Sequence, residues 1–389
     1  MATTEMTGSA LRLGLVAGEA SGDLLAGLLL GGLKQRWPDL QTGGIGGPQM
    51  KAQGFDAWWP YDLLAVHGYS LELLLRLRRL FALRRELGDR LLAERPDAFI
   101  GVDAPDFNLG LETRLKQAGI PSIHFVSPSI WAWRGGRIHK IRAAVDHVLC
   151  LFPFEPEIYQ RAGIAATYVG HPLADAIPLE VPRAAARAGL GLADDATVIA
   201  LLPGSRRSEI RHIAPSLLGA AALLTKQRPG QSLKFVLPAL RGVRDLLDPL
   251  VAKFSGQIDL QVVDGRSHEV LAACDLTLIA SGTATLEAAL FKRPMVITYN
   301  MPWLSWLRMK RMAYQPWVGL PNILSRGFVV PELLQDSCTP EALAHAASQW
   351  LDSPSRCEGI AQRFTDLHHL LRQDTAHRAT DAIAQVLGR

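Results

Sequence analysis

Residues 11–23 read LRLGLVAGEASGD, a short apolar run that leads into a glycine-containing turn. The apolar part, 11–17, indicates a buried β-strand, and the sequence after the turn is typical of a helix as far as about Arg36. A strand that passes through a glycine turn into a helix is the repeating unit of a parallel sheet covered by helices. This stretch therefore indicates an α/β fold.

The same pattern recurs in both directions along the chain. In the first half, apolar runs at 98–102, 122–126, 147–151 and 168–169 indicate further strands separated by helical sequence. After an Ala- and Arg-rich connector the pattern starts again, with strands expected at 198–202, 234–237, 260–263, 276–279 and 295–298. We therefore expect an α/β protein with two tandem Rossmann-like doubly wound parallel-sheet domains that face a cleft.

The expected domains divide the chain into three parts. Residues 1–178 form the N-terminal domain and 179–354 the C-terminal domain, while 355–389 supply C-terminal helices that cross back to the first domain. Ligands of open parallel sheets bind outside the carboxyl ends of the strands. Residues that directly follow each strand are therefore the candidates for chemistry.

Composition excludes several classes of protein. Of 389 residues, 48 % are apolar and 20 % charged, which excludes wholesale disorder. With 41 Lys and Arg against 37 Asp and Glu, the net charge of +4 argues against a dedicated nucleic-acid binder. The four cysteines have neither zinc-knuckle spacing nor the density of a disulfide framework, which favours a reduced cytoplasmic setting. The sequence shows no secretory signal, and its apolar stretches are too short to span a bilayer.

Two carboxylates follow strands of the first domain. Glu19 lies in the turn Gly18–Asp23, whose spacing is not that of a dinucleotide fold, and Asp103 lies in the turn 101–108, GVDAPDFN. A partly buried Asp103 would suit a general base, whereas Asp106 or Asn108 suits a helix cap. Ser21 or Asp23 would cap the first helix in the alternative interpretation of that turn.

Aromatic residues and a histidine follow the later strands of this domain. Trp131 and Trp133 in SPSIWAWR (127–134) would form the floor of a sugar or acyl site, or would pack in the core. His171, in Gly170-His171-Pro172, is expected either in the cleft or at a contact between the domains.

The second domain contains two turns suited to phosphate. LPGSRRSE (202–209) places Gly204, Ser205 and Arg206 after a strand, and a guanidinium can bind diphosphate oxygens bidentately. The turn lacks the Gly-Lys-Ser/Thr ending of an NTPase loop. The second turn, ASGTATLE (280–287), offers Ser281, Gly282 and Thr283 to phosphate and Glu287 to ribose hydroxyls. The alternative role of Glu287 is to complement the helix dipole.

Three further polar residues would complete a nucleotide site. Asn322 follows Pro321, and Glu332 and Gln335 would share one face if their segment is helical. A solvated helix start is the alternative for that segment.

Two basic and apolar segments suggest contact with a membrane surface. Residues 71–92, LELLLRLRRLFALRRELGDRLL, combine leucines at helical spacing with six arginines. The stretch 288–331 lacks Asp and Glu but contains Trp and basic residues. Helices packed at the rim of the cleft are the alternative. The residues expected at the membrane or the acyl chains are Leu73, Leu74, Leu77, Arg78, Leu80, Phe81, Trp303 and Trp306.

In seven blocks the chain resembles the lipid-A-disaccharide synthase family, bacterial glycosyltransferases of the GT-B type. The blocks are VAGEASGD (16–23), GVDAPDFN (101–108), VSPSIWAWR (126–134), LLPGSR (201–206), ASGTATLE (280–287), LPN (320–322) and ELLQ (332–335). They occur in the family's order over nearly the whole chain.

The resemblance implies an inverting transfer of 2,3-diacylglucosamine from UDP to the 6-hydroxyl of 2,3-diacylglucosamine 1-phosphate. It implies that Asp103 is the base, that Glu19 is its partner, and that Arg206 stabilises departing UDP. Glu287, Asn322 and Gln335 would line the donor site. UDP-sugar is a substrate in this family, so no cofactor and no metal are expected. The implied partners are acylated sugar lipids, UDP and the cytoplasmic face of the Gram-negative inner membrane, without nucleic acid and with a homodimer left open.

Two alternatives belong to other functions. One is another GT-B-type enzyme that uses UDP-N-acetylglucosamine, such as a 2-epimerase or a peptidoglycan transferase. The other is a non-catalytic, membrane-associated binder of nucleotide sugars.

Overall fold

The chain forms two compact units. The computed structural model describes residues 10–64, 71–131, 135–303, 306–307 and 315–389, without the side chains of 71–77 and 241. The first unit is Met1–Ala176 together with Leu371–Arg389, and the second is Ile177–Leu370. The chain thus returns to the first unit at Leu371, later than the sequence boundary at 355.

The described part of the first unit is built on a seven-stranded parallel sheet in the order β3-β2-β1-β4-β5-β6-β7. Its strands are β1 (Arg12–Ala17), β2 (Gln41–Gly46), β3 (Asp56–Pro60), β4 (Ala98–Val102), β5 (Ser122–Phe125), β6 (His147–Cys150) and β7 (Ala165–Tyr168). The helices between them are α1 (Ala20–Arg36), α2 (Pro48–Ala52), α3 (Leu71–Glu94), α4 (Pro105–Gln117), α5 (Ile138–Ala144), α6 (Glu155–Arg161) and α7 (Pro172–Ala176).

The described part of the second unit is built on a six-stranded parallel sheet in the order β10-β9-β8-β11-β12-β13. Its strands are β8 (Thr197–Leu202), β9 (Leu233–Ala239), β10 (Leu260–Asp264), β11 (Leu276–Ala280), β12 (Met295–Tyr299) and β13 (Glu332–Leu334). Its helices are α8 (Arg183–Leu190), α9 (Arg207–Gln227), α10 (Arg244–Ala252), α11 (Ser267–Ala273), α12 (Thr283–Leu290), α13 (Leu320–Ser325), α14 (Pro340–Leu351) and α15 (Pro354–Leu371).

The last helix, α16 (Thr375–Leu387), packs on α1 in the first unit. A Cβ atom added to Gly32 of α1 would lie 2.5 Å from the Cβ of Ala376, so a larger side chain would push the helices apart. Ala379, Ala382 and Ile383 of α16 join a core cluster with residues of α1, β1, β4 and β5. Small residues on α1 therefore allow the final helix to pack closely against α1 and to contribute to the core beside the sheet.

The structure confirms the predicted fold class and adds three strands that the apolar pattern did not indicate. The first is β2, whose sequence QTGGIG is rich in glycine, a residue that is depleted in β-strands. The second is β3, whose sequence is DAWWP. The segment that begins at Glu332 is the short strand β13, followed by a 3₁₀ turn at Gln335–Ser337. The expectation that Glu332 and Gln335 share a helix face is therefore wrong.

Each sheet has one point at which its strand order reverses. In the first sheet this point lies between β1 and β4, and in the second between β8 and β11. Ligand sites of open parallel sheets lie at such switch points, beyond the carboxyl ends of the strands. In each unit, the turns that follow these two strands contain the residues that the sequence singles out.

Within the described parts of the chain, every helix is too short or too polar to cross a lipid bilayer.

Candidate active site

Glu19 and Asp103 lie in adjacent turns at the switch point of the first sheet. Ala17, at the end of β1, pairs with Val102, at the end of β4. A Cβ atom added to Gly18 would lie only 2.6 Å from the Cβ of Ala104, so the two turns pack directly on each other. Glu19 is exposed and Asp103 is half-buried. The structure thus brings the two predicted carboxylate residues to one edge of the sheet.

Asp103 has a strained backbone. Its φ is +50°, and that of the next residue, Ala104, is +44°, in the left-handed region that residues other than glycine rarely adopt. The amide of Asp103 donates to the carbonyl of Phe125 at 2.9 Å, which fixes the turn to β5. Such strain persists only where the surrounding structure imposes it, and it occurs preferentially at functional sites.

Asn108 stabilises this turn through two hydrogen bonds. Its Nδ2 donates to the carbonyl of Asp103 at 2.8 Å, and its amide donates to the carbonyl of Ala104 at 3.0 Å. The prediction that Asp106 or Asn108 caps α4 is wrong, because the N-cap position belongs to Ala104. Asp106 lies in the first turn of α4 and forms an ion pair with Arg137.

A buried acid–histidine pair lies one turn further along α4. Glu112 Oε1 and His124 Nδ1 are 2.7 Å apart, and both side chains are fully buried. Burial alone would lower the pKa of His124, but the charge and hydrogen bond of Glu112, with a contribution from Asp103, raise it above its ordinary value. The sequence analysis did not predict this pair. The available signal was the presence of two polar residues, Asn108 and Glu112, four residues apart among apolar residues of one helix.

The turn after β1 uses its polar residues differently from the prediction. Glu19 is the N-cap residue of α1, and no side-chain hydrogen bond caps that helix. Asp23 is buried and accepts hydrogen bonds from the amides of Gly47, Gln49 and Met50 at 2.7–3.2 Å. The interpretation of Ser21 or Asp23 as the cap of α1 is therefore wrong, since Asp23 instead fixes the start of α2.

An aromatic cluster follows β5 and β6 in the same unit. Trp131 Nε1 donates to Glu155 Oε1 at 2.8 Å, and the Trp131 ring lies edge-on to Phe152 and Phe154 at centroid distances of 6.1 and 5.3 Å. Burial raises the pKa of Glu155 to about 7, although its hydrogen bonds oppose the shift. Trp131 is thus held by a carboxyl group that the sequence did not single out. Trp133 lies outside the described residues.

His171 is buried inside the first unit. Burial lowers its pKa to about 3, so the ring is neutral, and its Nδ1 accepts a hydrogen bond from the amide of Leu173 at 3.2 Å. Its own amide donates to the carbonyl of Leu371 at 2.9 Å. These contacts give His171 a structural role, because it links the two chain segments of the first unit, Met1–Ala176 and Leu371–Arg389.

Arg206 lies at the switch point of the second sheet, before α9. Glu209 Oε2 accepts hydrogen bonds from the amides of Ser205 and Arg206 at 3.0 and 3.1 Å. The turn requires glycine, because Gly204 has a φ of +105° and a Cβ there would lie 2.3 Å from Glu209 Oε2. A carboxylate of the chain thus accepts hydrogen bonds from two amides of the turn that the sequence assigned to phosphate. The guanidinium of Arg206 lies 3.5 Å from Glu209 Oε1, and 58 % of the Arg206 side chain is exposed.

The turn after β11 lies beside the Arg206 turn. Ile279 of β11 pairs with Leu202 of β8, so both turns leave the same edge of the sheet. Ser281 Oγ donates to the carbonyl of Val318 at 3.0 Å, whereas Gly282 and Thr283 are exposed at the start of α12. Glu287 Oε2 lies 3.5 Å from His268 Nε2, with 18 % of the carboxylate side chain exposed.

Asn322 and Glu332 bind each other and the surrounding backbone. Glu332 accepts from the amides of Val318 and Gly319 at 3.0 and 2.9 Å and from Asn322 Nδ2 at 2.8 Å. Asn322 Oδ1 accepts from the amides of Val329 and Val330, and its Nδ2 also donates to the carbonyl of Val330. Asn322 is fully buried, so in this structure both residues shape the loop before β13.

Gln335 is the donor-site candidate with unused hydrogen-bonding capacity. Its Oε1 accepts from the amide of Met301 at 3.3 Å, while its buried Nε2 has no partner among the described residues. Its φ of +52° is again left-handed. A strained backbone and an unsatisfied amide group are consistent with a ligand-binding role.

The described end of α3 presents two different faces. Leu83, Leu87 and Leu91 are buried in the core of the first unit, whereas Arg78 and Arg79 are exposed and Phe81 is 56 % exposed. Leu80 is half-buried, and the side chains of Leu73, Leu74 and Leu77 lie outside the described part. In the second unit Trp303 is 69 % exposed and Trp306 is half-buried. Among the described residues, no three His, Cys, Asp or Glu side chains cluster as metal ligands would.

The chain is similar to known proteins of one family over nearly its whole length. A family model described as lipid-A-disaccharide synthetase matches residues 13–387. The lipid-A-disaccharide synthase of Albidiferax ferrireducens is 58 % identical over 381 residues, which cover 97 % of each chain.

Solved structures show the same fold at low identity. The UDP-GlcNAc 2-epimerase of Neisseria meningitidis bound to UDP-GlcNAc is 11 % identical, with a TM-score of 0.60 over 97 % of this chain and 99 % of its own. MurG of Acinetobacter baumannii is 15 % identical, with a TM-score of 0.57 over 96 % of this chain and 99 % of its own. These structures place the fold in the GT-B class.

Proposed function

The chain belongs to the lipid-A-disaccharide synthase family, and we propose that it joins UDP-2,3-diacylglucosamine to 2,3-diacylglucosamine 1-phosphate. It is a glycosyltransferase of lipid A biosynthesis. The products of the proposed reaction are the β-1,6-linked disaccharide 1-phosphate and UDP. The observation that carries the proposal of a site is the position of Asp103, a half-buried carboxylate in a strained turn at the switch point of its sheet.

In the proposed mechanism Asp103 takes the proton from the acceptor 6-hydroxyl. The hydroxyl oxygen forms a bond to the anomeric carbon of the donor sugar, and the bond from that carbon to the UDP oxygen breaks. UDP leaves with the electron pair, so a single displacement inverts the anomeric configuration. Asn108 positions the base through the carbonyl of Asp103, and Glu19 lies in the adjacent turn.

On the donor side, the accessible guanidinium of Arg206 would stabilise the charge that develops on the diphosphate. Glu287, in the second turn of α12, would accept hydrogen bonds from the ribose hydroxyls. The Nε2 atom of Gln335 would donate to the donor sugar, since it lacks a partner among the described residues.

We extend the proposal to action at the cytoplasmic face of the inner membrane, because both substrates carry acyl chains. The support is the exposed Phe81 beside the cationic Arg78 and Arg79, and the exposed Trp303. Aromatic and cationic side chains together favour the headgroup region of a bilayer.

The test is a product assay with purified protein. Supplied with the two acylated sugars, the protein should release UDP and form one disaccharide 1-phosphate, with the β-1,6 linkage established by NMR. UDP-N-acetylglucosamine without acyl chains should not be consumed. Turnover of that soluble sugar alone, as epimer or transfer product, would contradict the proposal and favour the epimerase or peptidoglycan alternative.

A further inference from the structure

A groove of about 640 Å³ lies on the first unit, along the outer side of α4. Arg84 of α3 lines one side, and Arg137 and Lys140, at and beyond the start of α5, line the other. Residues of α4, among them Gly110 and the buried Leu109, complete the lining. Three cationic side chains therefore surround one concave surface.

The cations of the groove are only partly neutralised. Arg137 forms an ion pair with Asp106, the acidic residue of the lining. Neither Arg84 nor Lys140 is paired with a carboxylate of any residue the structure describes. The groove thus contains two uncompensated positive charges, which favours an anionic ligand.

Arg84 is held in the groove by its neighbours. Its guanidinium lies 5.0 Å from the centroid of the Phe81 ring. A Cβ atom added to Gly110 of α4 would lie 2.6 Å from Arg84 Nη1, so the guanidinium lies directly across the α4 backbone. Glycine at this position admits the cation, and a larger residue would displace it.

The groove begins beside the proposed base. Pro105 and Asp106 line it, and they follow Asp103 by two and three residues. In the acceptor of the proposed reaction, one pyranose ring separates the reacting 6-hydroxyl from the phosphate on the anomeric carbon. An acceptor with its hydroxyl at Asp103 therefore needs an anion site about one sugar ring away, and the groove is lined from Pro105 onward.

We propose that this groove binds the phosphate monoester of the acceptor, with Arg84 and Lys140 donating to the phosphate oxygens. Arg137, which is paired with Asp106, lines the same groove. The inference rests on the proposed function for the identity of the sugar phosphate. Phosphate binding by Arg and Lys is charge-assisted, so each contact contributes substantially to affinity.

The first experiment measures steady-state kinetics of the double variant Arg84→Gln/Lys140→Gln. We expect the acceptor KM to rise about tenfold to a hundredfold, because charge-assisted hydrogen bonds are lost, while the donor KM is unchanged. Arg142→Gln is the matched control, since it removes a charge from α5 outside the groove lining and should leave the acceptor KM unaltered. Gly110→Ala should raise the acceptor KM without any change of charge.

The acceptor without its phosphate supplies the decisive comparison. With 2,3-diacylglucosamine as acceptor, wild type and double variant should react equally poorly, because the group that distinguishes them is absent. The proposal would be overturned if the double variant lost the same fraction of wild-type activity with both acceptors. It would also be overturned if the KM of the double variant for the phosphorylated acceptor were unaltered.

A phosphate of the bilayer is the other source of the same chemistry. Sedimentation with phosphatidylglycerol vesicles should not distinguish the double variant from wild type. Reduced vesicle binding with an intact acceptor KM would assign the groove to lipid headgroups and overturn the substrate assignment.

A binding measurement separates failure of the groove from failure of the proposed function. The ³¹P NMR signal of glucosamine 1-phosphate should broaden with wild type and remain sharp with the double variant. If wild type forms no disaccharide, the proposed function fails while this measurement still decides whether the groove binds a sugar phosphate. Equal broadening by both proteins would refute the groove in either case.

Discussion

Asn108 Nδ2 donates a hydrogen bond to the main-chain carbonyl of Asp103 at 2.8 Å, from a side chain that is fully buried. This contact joins α4 to the turn that contains the proposed base. It provides a partner for a carbonyl in a left-handed stretch of backbone that the chain would otherwise avoid. The position of the carboxylate therefore depends on a residue that does not itself contact a substrate.

Replacement of Asn108 should reduce kcat more than it raises either KM. Asn108→Ala removes the hydrogen bond to Asp103 and costs about 1–3 kcal/mol of stability. Kinetics measured well below the unfolding temperature separate this positioning effect from unfolding. Asn322→Ala is the matched control, because it removes an equally buried asparagine from the second unit and should raise the donor KM instead. A pure stability loss with an unchanged kcat would contradict the positioning role of Asn108.

Arg206→Ala should weaken UDP binding by about tenfold to a hundredfold, since a charge-assisted contact to the diphosphate is lost. Isothermal titration calorimetry measures this directly. The neighbouring Arg207 forms a bidentate pair with Asp245, so Arg207→Ala serves as the control and should retain wild-type affinity. An unaltered UDP affinity in Arg206→Ala would refute the diphosphate assignment.

Glu155 should make stability depend on pH. Its pKa is raised by burial to about 7 in the folded chain, against an ordinary value of 4.5. The unfolded chain therefore loses the proton first as pH rises, and stability falls between about pH 4.5 and 7 by about 3 kcal/mol. Urea unfolding at pH 5 and pH 8 should show that the free energy of unfolding falls less between these two pH values in Glu155→Gln than in wild type. An identical pH dependence in both proteins would show that Glu155 keeps an ordinary pKa.

The exposed aromatic residues should contribute to membrane binding. Phe81→Ser and Trp303→Ser, combined, should reduce co-sedimentation with anionic vesicles, because both rings are exposed on basic segments. Serine at Leu73, Leu74, Leu77 and Leu80 should act in the same direction. Leu240→Ser is the control, since this exposed leucine lies outside those segments. Undiminished sedimentation of the aromatic variant would remove the support for a membrane-facing surface.

Local sequence predicted most of the sheets but not the strands without an apolar run. β4 is apolar and buried along its whole length, and β1 and β11 are apolar and buried apart from the exposed Arg12 and the buried Thr277. Such apolar runs are the signal from which strands are predicted. β2 is rich in glycine and β13 has only three residues, so neither has a detectable period. Pairing with a neighbouring strand forms these two elements, and a single segment does not reveal that pairing.

The candidate site shows the same division. The positions of Asp103 and Arg206 follow from the rule that ligands bind beyond strand ends, and the family resemblance assigns their roles. The partners of Asp23 and Glu332 could not be predicted, because these carboxylates fix amides that lie 24–27 and 13–14 residues away, respectively. Glu112 and His124 pair across a helix and a strand. Contacts of this kind depend on tertiary packing, which propensities and spacings do not contain.

The central claim is that a carboxylate of the first unit activates the acceptor while the second unit holds UDP. The most direct measurement compares transfer rate and UDP affinity in Asp103→Asn, a substitution that keeps the size of the side chain. We predict that transfer between the two acylated sugars falls by about 10²- to 10⁴-fold, as loss of a general base would cause, while calorimetry shows wild-type affinity for UDP. Transfer at the wild-type rate, with Asp103 replaced, would contradict the account.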